Sequence, residues 1–409
     1  MDVAPILKAL RRNTTGPFLV IAQIALTLAI VSNVVSVIAD RATLIARPTG
    51  IAEREVFAIG FVFTKGVRTN ALQEADLANV RATANVVDAV GANGYPLRGG
   101  GWDDGISTKP GITNYGEQDA QAEVYALDQH GIGTLGLKLV EGRNFKPAEV
   151  IPGQFNAPPI PDVAIISRSL ERQLFRAGPA LGKTIYVASA PRKPVTVIGV
   201  VDRLQSTQAA TMTEEHASEN SIILPIVAAG GVGLFIVHVK AGTLDTTMPN
   251  VMKALVRENP NRIFGRLRPF TEIRSTAYEK DRSIAIALGI LCVILVVITA
   301  LGIVALTSLW VVRRRTQIGI RRALGATRPA VVGNFLTENA LLCFSGAALG
   351  ALASEGLNLL LRTRYGVGPL PIADLLLCAL AVILLGQIAA LRPALLAARV
   401  SPSEALRSM

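Results

Sequence analysis

Four long apolar runs interrupt a chain that otherwise mixes hydrophobic and polar positions at short spacing. They begin at Pro17, Ser283, Val331 and Ile372. A helix needs about 20 mostly apolar residues to cross a bilayer, so the runs predict spans over 17–39, 283–312, 331–361 and 372–391. The second holds no charged residue from Ser283 to Val312. The first is too long for the apolar centre of a cleaved signal, roughly 7–15 residues, and is expected to be a retained anchor. Residues 1–16 precede it as a short amphipathic segment, with Ile6, Leu7 and Leu10 on one face.

The stretch 40–282 has the shorter periods of a folded domain. Strands are predicted at 56–63 (VFAIGFVF), 122–128, 163–167 (VAIIS), 183–189, 194–201 (PVTVIGVV) and 233–240. Helical patterns fill 69–83, Leu170–Arg176 and Thr246–Arg257, and glycine and proline clusters at Gly99–Gly101, Pro158–Pro161 and Ala228–Gly233 mark loops. The polar helix Thr271–Arg282 is expected to run unbroken into the second span. The fold class is therefore a multi-pass α-helical membrane protein with four transmembrane helices and a large α+β extracytoplasmic domain.

Charge settles the orientation this reading predicts. The net charge is +11, which in a soluble chain would suggest nucleic acid. Residues 40–282, however, hold 27 basic and 25 acidic side chains, leaving 14 and 5 for the rest. Twelve of those 14 bases sit in three places: Lys8, Arg11 and Arg12; the loop Arg313–Arg328; and Arg392, Arg399 and Arg407. All three fall on one side of a four-span topology, so the loop 313–330, the tail 392–409 and both termini are expected in the cytoplasm. The clusters also lack interleaved aromatics, and no nucleic-acid partner is expected.

Two features suggest helix packing. Ala22, Ala25, Ala29, Ser32 and Ser36 recur at steps of three and four along the first span; this is a close-approach stripe or chance in an alanine-rich chain. Gly346 and Gly350 form a GxxxG in the third. Gln23 and Asn33 would need partners within a helical interface. Glu338 and Glu355, about 24 Å apart along the third helix, are expected at the edges of the hydrocarbon layer.

Catalytic and metal chemistry find no footing. Cys292, Cys343 and Cys378 lie in predicted spans, so no disulfide framework supports the extracytoplasmic domain. His130, His216 and His238 are scattered, and no metal site is expected. GPALGKT (178–184) has three residues between Gly178 and Gly182 where a phosphate loop needs four, and a strand follows in place of a helix. The chain is not expected to be an enzyme.

What remains is RRRTQIGIRRALGATRPA, Arg313 to Ala330, with six arginines and no acid. Ile320, Ala323 and Leu324 share one side of a short helical pattern, with Arg321, Arg322 and Arg328 opposite. Ile318, Gly319, Ile320, Arg321, Arg322, Ala323, Leu324, Gly325 and Ala326 resemble, consecutively, the coupling segment of the MacB/FtsX-type ABC transporter permeases. NFLTENALL (334–342) and the tail RPALLAARVSPSEAL, through Pro393, Ala394, Ala398, Pro402, Ala405 and Leu406, extend the resemblance over a 283–402 FtsX-like permease domain. EGRNF (141–145), VAIIS, PALGKTI and VTVIGVV follow the order seen in MacB-type periplasmic core domains. One position departs: Gln317 stands where the family usually has an acid, so a local ion pair is expected to be missing.

The resemblance implies a stand-alone permease in a bacterial inner membrane, working with a separate dimeric ABC ATPase that holds the ATP and Mg; no cofactor is expected on this chain. It implies a second permease copy, identical or related, and mechanotransmission to the periplasmic domain for export of a peptide, antibiotic or similar amphiphile, with a periplasmic adaptor and outer-membrane channel as further partners. An FtsX-like regulator of an extracellular hydrolase and a lipoprotein-releasing permease are the alternatives.

Overall fold

The computed structural model describes residues 15–64, 69–111, 118–154, 159–176, 178–209, 217–229 and 233–399. Residues 1–14 of the amphipathic segment expected over 1–16, Pro158, His216 and the tail residues Pro402, Ala405, Leu406 and Arg407 lie outside them. The chain divides into two units: Ala46–Lys280, inserted in sequence, and Met1–Ile45 together with Asp281–Met409.

In chain order the elements are α1 (Thr15–Ala46); then β1 (Val56–Phe63), α2 (Asn70–Arg81), β2 (Val86–Gly91), β3 (Asp103–Ser107), β4 (Ala120–Ala126), α3 (Gly131–Leu135), β5 (Leu139–Gly142), β6 (Ile151–Gln154), β7 (Val163–Ser167), α4 (Arg168–Leu174), β8 (Thr184–Val187) and β9 (Ala190–Val201). They continue with β10 (Ser221–Leu224), β11 (Ile226–Ala229), β12 (Gly233–Val239), α5 (Leu244–Glu258), β13 (Arg262–Phe264), β14 (Arg268–Pro269), α6 (Phe270–Ala277), α7 (Glu279–Arg313), α8 (Arg315–Ala323), α9 (Arg328–Tyr365) and α10 (Ile372–Ala397). Among the described residues, α1, α7, α9 and α10 are long and apolar enough to cross a membrane.

The inserted unit is α+β with two main sheets. In the first the order is β13-β1-β12-β2, with β14 also on β1. β1 reads as a nearly unbroken apolar run because it is an interior strand: Phe57, Ile59 and Phe61 pack with Phe235, Val237, Leu77, Val251 and Leu255 from β12, α2 and α5. α2 starts where the sequence suggests, because Thr69 Oγ1 accepts from Leu72 N at 3.2 Å and satisfies one of the helix's open donors.

The second sheet runs β5-β9-β7-β10-β4-β3-β8, and β8 pairs again with β9. Six strands thereby close a ring. Its interior is filled by Ile106, Val124, Ile166, Ile185, Val197 and Ile222, among others. EGRNF forms the turn out of β5: Gly142 has φ +76°, and a Cβ there would meet Ile198 O at 2.1 Å, so only glycine fits. Arg143 then grips Glu149 with two bonds of 2.6 and 2.8 Å. That guanidinium holds the Glu149 carboxyl down at about 2. GPALGKT is a turn into β8, with Lys183 Nζ 4.6 Å above the Phe175 ring, which agrees with its rejection as a phosphate loop.

One expectation fails. The polar helix does not run unbroken into the second span: α6 ends at Ala277 and α7 starts at Glu279. Between them Tyr278 (φ −102°, ψ 12°) turns its N–H toward Arg274 O and Thr276 O and buries its ring completely. Periodicity does not register a single residue drawn inward by its ring.

Candidate functional site

The arginine-rich segment folds as a corner, a short helix and a second corner. α7 ends at Arg313, and Arg314 (φ −102°, ψ 10°) makes the first corner. Its N–H still bonds Trp310 O at 3.0 Å, while its carbonyl accepts from Ile318 N at 2.9 Å and so opens α8. The family-like Ala-Leu-Gly-Ala closes α8. Gly325 sits at φ +97°; its N–H bonds Arg322 O and Ala326 N–H bonds Arg321 O, both at 3.1 Å. That bond pair is a Schellman ending, which favours glycine at the left-handed position. α9 then starts after Thr327 with Pro329 in its first turn, where a missing N–H costs nothing.

Burial splits the nine candidate residues in two. Ile318 is 6% exposed and Gly319 is also buried. Ile318 packs with Val331 and Phe335 of α9 and with Ala394, Ala397 and Ala398 at the end of α10. Leu324, by contrast, is 83% exposed and Ile320 40%. Arg321, Ala323 and Gly325 are exposed as well, while Arg322 and Ala326 are half-buried. Ile320, Ala323 and Leu324 thus form an open apolar face flanked by arginine, on a helix anchored from behind by Ile318.

Gln317 is exposed and leaves no acid within the segment. A salt bridge is nevertheless present: Arg314 Nη1 lies 2.8 Å from Glu338 Oε2 of α9. Glu338, expected at the edge of the hydrocarbon layer, is 7% exposed and paired with the corner of the segment. Glu355 is exposed.

The small-residue positions meet each other. A Cβ on Gly346 would lie 2.8 Å from Ile24 Cβ, and one on Gly350 2.9 Å from Ala25 O, so α9 packs backbone-close on α1. Along the α1 stripe Ala29, Ser32 and Ser36 are buried, Ala25 is half-buried and Ala22 is exposed. Ser32 Oγ and Ser354 Oγ are 2.6 Å apart, and Asn33 Nδ2 donates to Ser354 Oγ at 3.0 Å. Gln23 Nε2 donates to Ile298 O at 3.0 Å. Partners that sequence reasoning missed are Thr299, bonded to Thr27 at 2.7 Å, and Asn339, which donates to Gly386 O at 3.0 Å. Thr27, Thr299 and Asn339 are polar residues at span depth, and that was the available signal.

Among the described residues no group of His, Cys, Asp and Glu has metal-binding geometry. The inserted unit has a cleft of about 450 Å³ formed by Ala46, residues 48–55 and Arg274. Within it Arg274 donates to Glu53, and beyond it to Arg47 O.

The comparisons match both units. Residues 15–270 match the MacB-like periplasmic core domain, and 289–402 match the FtsX-like permease C-terminal domain. The chain belongs to the MacB/FtsX family of ABC transporter permeases. It is similar to the macrolide export ATP-binding/permease protein MacB of Chromobacterium violaceum, 25% identical over 76% of this chain and 47% of that one. A second such protein, from Sodalis glossinidius, is 25% identical over 93% of this chain and 58% of its own length. The chain therefore spans about half the length of these relatives. Among solved structures, the periplasmic region of MacB from Actinobacillus actinomycetemcomitans is 15% identical, covering 56% of this chain and 94% of that one, with a TM-score of 0.35.

Proposed function

We propose that this chain is the permease subunit of a MacB-type ABC transporter, set in a bacterial inner membrane with both termini in the cytoplasm. An ATPase dimer, supplied by separate subunits that bind ATP and Mg, closes and pushes on α8. The observation that carries this reading is the division of α8 into an anchored and an open side. Ile318 is held against α9 and α10, whereas Ile320 and Leu324 are presented outward. Apolar side chains exposed on a short helix among arginines suit insertion into an apolar groove of a partner protein. The glycines at 319 and 325 allow close backbone approach. Two permease copies, identical or related, would supply one such helix to each ATPase subunit.

Residues 15–270 match the MacB-like periplasmic core domain, and the size of the inserted α+β unit, about 235 residues from Ala46 to Lys280, supports export of a peptide, antibiotic or similar amphiphile. A periplasmic adaptor and an outer-membrane channel would complete the path. Leu324→Glu combined with Gly325→Trp tests the coupling role. Loss of ATPase co-purification and of stimulated ATP hydrolysis is expected, and undiminished association would remove the role. Cysteine labelling of position 324 from the outside of intact cells would overturn the orientation.

A further inference from the structure

The ion pair at the first corner of the arginine-rich segment joins Arg314 to Glu338 of the NFLTENALL stretch, and its surroundings give it a role. Glu338 lies ten residues into α9, about 15 Å from the start of that helix. Its carboxylate is buried, with a side chain only 9% exposed. Oε2 accepts from Arg314 Nη1 at 2.8 Å, while Oε1 is buried with no donor among the described residues. Arg314 is therefore what compensates this charge. A buried carboxylate separated from its cation is strongly disfavoured.

The two ends of the pair are held differently. Asn339, the next residue on α9, donates to Gly386 O of α10 at 3.0 Å, and Phe335 one turn earlier is buried against Ala394 and Ala397. The turn carrying Glu338 is thus fixed in the helix bundle. Arg314 sits at the bend between α7 and α8, where the backbone leaves helical geometry.

We propose that Glu338 is the positioning residue of the coupling segment. Its carboxylate holds Arg314, so that a push on α8 moves α7 and α9 together instead of bending the corner between α7 and α8. The proposal rests on α8 being the ATPase contact and adds the element that makes that contact productive. Ile318 alone would allow α8 to pivot on its apolar anchor; a charge pair one turn away supplies a second fixed point.

The test uses the full chain in lipid nanodiscs with two readouts. The first, needing no partner, is amide hydrogen exchange over 315–326. The second is ATP turnover of the ATP-binding subunit that co-purifies with the wild-type chain. Glu338→Gln is expected to raise exchange over 315–326 at least tenfold and to cut stimulated turnover at least tenfold while the subunit still co-purifies. The reversed pair Arg314→Glu with Glu338→Arg is expected to restore both, which a variant that merely misfolds the bundle would not do. Wild-type exchange in Glu338→Gln, wild-type turnover despite faster exchange, or no rescue by the reversed pair would each overturn the proposal. A wild-type chain that neither binds nor stimulates any ATP-binding subunit sinks the coupling reading instead, and that result is seen before any variant is made.

Discussion

The inserted domain and the helix unit bury opposite kinds of residue. In the domain, β1, β7, β9 and β12 hide Phe57, Ile165, Val197 and Phe235 completely, and few large apolar side chains remain outside. In the helix unit, α7 exposes Ile286, Ile290, Val293, Val297 and Leu301 by about half or more. The residues it buries are Thr299, Ile303 and Thr307. Water drives apolar groups inward in the first case. Lipid gives no such drive between helices in the second, so close backbone contact and polar bonds hold the helices instead. Each unit can be broken by the substitution that the other would tolerate.

The largest effect is expected where the domain violates its own rule. Asp76 and Arg262, 1% and 0% exposed, pair at 2.6 Å beneath the rings of Phe61 and Phe63. Removing one partner of a buried pair costs about 3–5 kcal/mol. Asp76→Leu should therefore destabilise the domain by that amount, and Asp76→Leu with Arg262→Met should recover most of it. Denaturant unfolding followed by Trp102 fluorescence, in a Trp310→Phe background, checks both. Equal losses in the single and double variants would mean that the pair is not what the first variant disturbs.

The second effect depends on pH. Burial pushes the Glu123 carboxyl up to about 7, against its bonds from Thr207. The ordinary value of 4.5 applies once the chain unfolds. Between those values the folded state holds a proton that the unfolded state has released, so stability falls as pH rises from 4.5 to 7 and then levels off. Glu123→Gln removes that loss. It should raise stability above pH 7 by up to roughly 3 kcal/mol and change little below pH 4.5. Parallel stability curves for the two proteins across this window would contradict the assignment.

Legibility in the sequence follows the same division. VFAIGFVF and PVTVIGVV were readable as strands because six of the eight residues in each are β-favouring. SIIL, VVDAVG and RIF were not, because β10, β2 and β13 take their meaning from neighbours far along the chain. The open face of α8 was readable from Ile320, Ala323 and Leu324. The inward turn of Ile318 was not, since Ala394 and Ala397, which cover it, come more than seventy positions later. Gln23 and Asn33 announced that they needed partners. A backbone carbonyl at Ile298 and a serine at 354 have no pattern that could name them. Glu338 was placed by counting along its own helix, which cannot reveal an arginine arriving from another one.

The third effect compares two glycines of α9. A Cβ at Gly350 would meet Ala25 O at 2.9 Å and Leu28 Cβ at 3.0 Å, whereas one at Gly356 meets nothing within 4 Å. Gly356→Ala should gain up to about 1 kcal/mol from helix propensity. Gly350→Ala should lose about 1–2 kcal/mol as α1 and α9 are pushed apart. Thermal unfolding of the helices in detergent, followed by far-ultraviolet circular dichroism, reads the two signs. The same sign for both would show that α1 and α9 are not packed backbone-close.

The smallest effect sharpens the comparison most. Thr27 and Thr299 exchange a 2.7 Å hydrogen bond between α1 and α7, and both are buried. Thr27→Val keeps the shape and removes the hydroxyl. In water-soluble cores a buried donor left unsatisfied costs about 1–3 kcal/mol. Here Thr299 Oγ1 also donates back to Leu295 O at 2.8 Å, so its proton keeps an acceptor when Thr27 is gone. Interhelical bonds of this kind in bilayers average about 0.6 kcal/mol, and that is the loss expected in the same detergent unfolding experiment. A loss above about 2 kcal/mol would mean that α1 and α7 depend on this contact as a water-soluble core depends on a buried hydrogen bond.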